Sequence, residues 1–107
     1  MQRNRQRTLG RQYKRAVRAF EEAQRQEIEA TYRLNVARNS MDDLIRRSQN
    51  AMNAGNHPLA MTLEPQLVAA TERVKQLTKT VVACLGRIGS HAVKMREAAD
   101  RIGDLPN

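Results

Sequence analysis

Glu27, Cys84 and Arg87 are the residues to weigh first. A carboxylate, a thiol and a guanidinium in one place are the raw material of nucleophilic or acid–base chemistry. They come together only if the chain folds back on itself near its middle. Even then no histidine stands beside the thiol to take its proton, and no second acid accompanies Glu27. The residues fit an ion pair between Glu27 and Arg87 that fixes the register of two helices, as one polar residue does in a coiled-coil core. His57 and His91 are too far apart in such a fold to share a metal. His91 falls where a packed core histidine would face Phe20, and His57 falls in a turn. Asp42 and Asp43 precede Arg46 and Arg47 by one helical turn, the spacing of surface ion pairs. Met41, Met52, Met61 and Met95 lie on or near apolar stripes, where methionine fills core space. No glycine-rich phosphate loop, nucleophile elbow or metalloprotease motif occurs. A non-enzymatic protein is expected, with no cofactor, no metal and no small-molecule substrate.

The elements that position these side chains follow from the apolar pattern. From Leu9 to Ala51 the chain steps by four and three without a slip, through Leu9, Tyr13, Ala16, Phe20, Ala23, Glu27, Ala30, Leu34, Ala37, Met41, Leu44, Ser48 and Ala51. A second seam runs through Leu63, Leu67, Ala70, Val74, Leu77, Val81, Cys84, Ile88, His91, Met95, Ala98 and Ile102. Between them Asn53-Ala54-Gly55-Asn56-His57-Pro58 gathers turn formers. The pattern predicts helix 1 over about 9–53, a turn over about 54–61, and helix 2 over about 62–103, with Pro65 in the first turn of helix 2. Gly86 and Gly89 fall on the outer face of helix 2. One continuous helix is expected through them, with a break and a short third helix as the alternative.

Folding the two seams about the Gly55–Asn56 midpoint brings them into phase. Ala16, Ala23, Ala30 and Ala37 then oppose Met95, Ile88, Val81 and Val74, so small faces large and the helices approach closely. The fold class is therefore all-α, an antiparallel two-helix coiled-coil hairpin spanning 9–107. With aromatics at 3% and no Trp, the core must come from Ala, Leu, Val, Ile and Met, which suits helix against helix. A hairpin buries one stripe of each helix, and a chain of 107 residues is marginal on that burial alone. Val17, Ile45, Met52, Val68, Val82, Leu85, Ala92 and Ala99 widen the stripe and are the expected protein interface. Completion into a helical bundle is expected, by homodimerisation or by docking on a helical partner protein.

Charge separates the ends of the chain. Of the net +8, residues 1–18 contribute +7 through Arg3, Arg5, Arg7, Arg11, Lys14, Arg15 and Arg18, with no acid, while the rest holds 12 basic and 11 acidic side chains. Residues 1–8 are expected to form a flexible basic arm. The seven cations are the expected site for an anionic partner, whether nucleic acid, an anionic membrane surface or an acidic protein surface. A removable presequence is not expected, because the seam begins at Leu9 inside the basic segment. One cysteine forms no internal disulfide, and no apolar run reaches a dozen residues, so a cytoplasmic, reducing location is expected. Three functions follow: first a helical-hairpin assembly or adaptor protein, then a small basic RNA- or DNA-binding protein, then a peripheral membrane scaffold.

Overall fold

A computed structural model describes residues 2–105, with Gln2 described by its backbone alone. The chain is all-α: α1 (Gln2–Asn53) and α2 (His57–Gly103) pack antiparallel as a hairpin. Within it the chain divides into two compact units, one of residues 29–81 and one of residues up to 28 with those from 82 onward.

The 29–81 unit contains the turn, which closes both helices with few residues. Gly55 takes φ 71°, the left-handed region open to glycine, and ends α1 in a Schellman motif. The Asn56 amide donates to the Ala51 carbonyl at 2.8 Å, and the Gly55 amide to the Met52 carbonyl at 3.0 Å. Asn56 also begins α2. Its Oδ1 accepts from the Leu59 amide at 3.2 Å, and its carbonyl accepts from the Ala60 amide at 3.1 Å. Helix 2 therefore starts at His57 rather than near 62, which corrects the expected turn of 54–61. Pro58 takes the first-turn place where its missing amide costs nothing. Pro65, expected there, lies inside the helix with no amide to offer the preceding turn.

α1 likewise starts earlier than its seam does. Residues 2–8, expected as an arm ahead of the helix, are its first turns, and Met1 lies outside the described residues. Arg and Gln are good helix formers, and a fully solvated turn needs no apolar stripe. Thr8 Oγ1 returns a hydrogen bond to the Asn4 carbonyl at 2.9 Å, as a hydroxyl inside a helix does. At the other glycine positions the continuous reading holds, since α2 passes through Gly86 and Gly89 without interruption.

Burial follows the seams. In the 29–81 unit the buried residues are Ala30, Leu34, Ala37, Ala51 and Leu63, and in the other unit they are Leu9, Ala23, Cys84 and Ala98. Each of these lies on one of the two heptad rows read from the sequence. Most of the remaining seam residues are half-buried, while Tyr13 and Ile102 are exposed. Small residues dominate the most buried positions because helices that meet on alanine come close enough to shut out solvent with little side-chain volume. Leu63, at 1% exposure, is the only large side chain fully buried among the described residues.

Candidate interaction surfaces

Cys84 is 2% exposed, and the Arg87 guanidinium donates to its sulfur at 3.1 Å from one turn along α2. Glu27 is half-buried on α1. Arg87 thus spends a donor on the thiol of its own helix. A sulfur this buried is packed inside the hairpin and shielded from solvent. His91 is half-buried and lines a groove with Gln12, Arg15, Ala16, Ala19, Lys94 and Arg101, while His57 is exposed in the first turn of α2. Among the described residues no three His, Cys, Asp or Glu side chains converge as metal ligands would. Asp43 pairs with Arg46 and lies 4.0 Å from Arg47, the surface arrangement its spacing implies, whereas Asp42 is exposed. Arg25–Glu22 at 2.8 Å and Arg33–Glu29 at 2.6 Å are further pairs within α1, all well exposed and each worth about 0–1 kcal/mol.

The seven cations near the start of α1 are all exposed. Because α1 is helical from Gln2, they divide by direction. At about 100° per residue, Arg3, Arg7, Arg11, Lys14 and Arg18 fall within an arc of roughly 80° on the side away from the seam. Arg5 and Arg15 point elsewhere. Arg5 lines a small groove with Leu9, Arg101, Asp104 and Leu105, and Arg15 lines the groove that holds His91. The five-cation row is hidden in the sequence because the apolar seam begins only at Leu9, and without a helix ahead of it Arg3 and Arg7 have no fixed direction.

The expected protein interface is unevenly covered. Met52, Val68, Val82, Leu85 and Ala99 are exposed, whereas Val17, Ile45 and Ala92 are half-buried against the seam. In the 29–81 unit, Met52 and Met61 line one groove with Ser48, Ala60 and Leu67 beside the turn. Met61 is 71% exposed and Val68 is 63% exposed. Tyr32 and Val36 line a second groove with Ala37, Ser40, Ala70 and Arg73. In the other unit Val82, Leu85 and Val93 stand out from α2 with Gly86 and Gly89 among them. Ile28, Tyr32, Val36, Leu59 and Val93 are exposed apolar residues that the seam-centred reading passed over, and Met52 and Met61, expected to fill core space, are exposed instead. The four-residue steps of Ile28, Tyr32 and Val36 are a signal for those three alone.

No helix among the described residues is long and apolar enough to cross a membrane. Comparison with protein-family models, with curated proteins and with solved structures finds no match to this chain.

Proposed function

We propose that this is a non-enzymatic assembly protein, a helical hairpin that pairs with a second copy of itself to form a four-helix bundle. The observation that carries the proposal is the imbalance of its apolar surface. Twelve large apolar side chains are exposed among the described residues, while a single large side chain is fully buried. Singly exposed apolar residues are ordinary, but here several share grooves. Met52 and Met61 line one beside the turn and Tyr32 and Val36 line another, while Val68, Val82 and Leu85 are exposed on α2. A second copy offering the same faces would cover them by an isologous contact, with helices packed as in other bundles. Docking of the same faces on a different helical protein would make the hairpin an adaptor. Arg3, Arg7, Arg11, Lys14 and Arg18 lie away from the seam and stay available to an anionic partner in either arrangement.

Sedimentation equilibrium at micromolar concentration tests the reading. The parent chain is expected at twice the monomer mass of 12.2 kDa, and the M61D/V68D/L85D variant at the monomer mass. A parent that remains a folded monomer throughout that range refutes self-assembly. The same result together with retention of a stable helical partner would favour the adaptor form.

A further inference from the structure

The structure assigns a binding surface for the phosphate backbone of a nucleic acid to the outer face of α1, formed by Arg3, Arg7, Arg11, Lys14 and Arg18. We infer it from four features of that row. It is continuous, because the helix begins at Gln2 and its steps of four, four, three and four residues hold all five side chains on one face. It is unspent, because none of the five forms an ion pair or a side-chain hydrogen bond among the described residues, and all are exposed. It has a defined end. Glu21 falls on the same face, and the next cation, Arg25, is held by Glu22 at 2.8 Å. Finally, its charge density suits a polyphosphate. Arg3 to Arg18 spans about 22 Å at 1.5 Å per residue, so the cations follow one another at about 4.5–6 Å along the axis, against one phosphate per ~3.4 Å along a DNA strand.

The chemistry of the row separates this partner from other anions. Four of the five cations are guanidinium groups, whose planar fork grips phosphate oxygens through paired hydrogen bonds. A helix lying in a membrane surface needs an apolar face free to enter the lipid. In this stretch of α1, Leu9 is buried in the seam, Ala16, Val17 and Phe20 are half-buried, and Tyr13 is left 37% exposed, so most of the apolar side is already occupied. An acidic protein would need an apolar core within the interface, and the row contains no apolar side chain. A backbone of evenly repeated phosphates needs neither. The inference names the anionic partner left open above and does not require the dimer. Failure of self-association would appear in the mass of the free protein, not in the binding measured here.

The test is fluorescence anisotropy of the full chain with a labelled 20-base-pair DNA duplex and a labelled 20-nucleotide RNA, between 50 and 200 mM NaCl. Five phosphates neutralised on the duplex give a slope of log K against log salt near −4.5, or about 500-fold weaker binding across that range. The variant R3Q/R7Q/R11Q/K14Q/R18Q is expected to bind with a slope shallower by about four. Gln is close to Arg in helix propensity, so the variant keeps its helix content by circular dichroism. The control R38Q/R73Q/K75Q/K79Q/R96Q removes the same charge from exposed positions off the row and is expected to retain most of the slope. Equal weakening of both variants would overturn the assignment, since net charge alone would then explain binding. Tighter binding by the parent to phosphatidylserine vesicles or to polyglutamate than to either nucleic acid at equal salt would also overturn it.

Discussion

Replacing Gly86 and Gly89 together by alanine should make the protein more stable. Both glycines lie inside α2 with φ outside the left-handed region, and a Cβ built at either position meets nothing within 4 Å. Neither glycine is therefore required by a turn, a close contact or backbone strain. Each instead carries the entropy cost of glycine in a helix interior, about 0.8–1 kcal/mol relative to alanine. The two sites are close in sequence but share no partner, so their effects should add to about 2 kcal/mol. Urea unfolding followed at the helix band should show the midpoint moving up by roughly 1 M with an unchanged slope, because the slope reports exposed surface and that is not altered. Measurement at several protein concentrations separates this intrinsic gain from any effect on association, since the helix term does not depend on concentration. A double variant no more stable than its parent at low concentration would refute the picture of an uninterrupted, solvated α2 face at these positions. Stabilisation at low concentration that vanishes as concentration rises would place the glycines inside an interface where a second helix lies against the bare backbone.

Three further outcomes follow from the packing and the turn. Ala30→Leu should destabilise the hairpin by about 1–3 kcal/mol, because Ala30 is buried where the helices meet on small side chains, and an unchanged melting temperature would show the alanine contact to be misplaced. Pro65→Ala should stabilise by up to about 3 kcal/mol in thermal or urea unfolding, since it restores an amide to the interior of α2, and a loss of stability would contradict the helix start at His57. Gly55→Ala should cost about 1–2 kcal/mol by forcing a side chain into the left-handed region, detectable as a lower urea midpoint, and an unaltered midpoint would argue against the Schellman closure.

The parts of the fold legible in the sequence are those dictated by burial. Leu34, Ala37, Leu63 and Cys84 are buried because each sits on a row whose spacing leaves it no other direction, and that spacing is visible without coordinates. The end of α1 at Asn53 is legible for a different reason, since Gly55 marks the stop locally. The helix starts were harder to place because they depend on weaker choices. Arg3 to Arg7 continue a helix on propensity alone, with no apolar residue to announce it. At α2 two prolines competed for the same role. Asn56, which ends one helix and caps the next, gave the place to Pro58 rather than Pro65. The candidate site inherited the first of these difficulties. Seven cations were visible as composition, but five became a surface only once α1 extended back to Gln2 and gave Arg3 and Arg7 the same direction as Lys14.

Cys84 gives the molecule a built-in clock. It is the one thiol in the chain, it is 2% exposed, and it sits on α2 in the unit that also carries the cationic row. A thiol reagent can reach it only when that part of the hairpin opens, so under fast reclosing the labelling rate divided by that of an unstructured thiol gives the open fraction. Because no cysteine need be added or removed, the same native chain can be timed alone, crowded against its own copies, or loaded with a polyanion. Each condition that slows the label would reveal which encounters hold the two helices together.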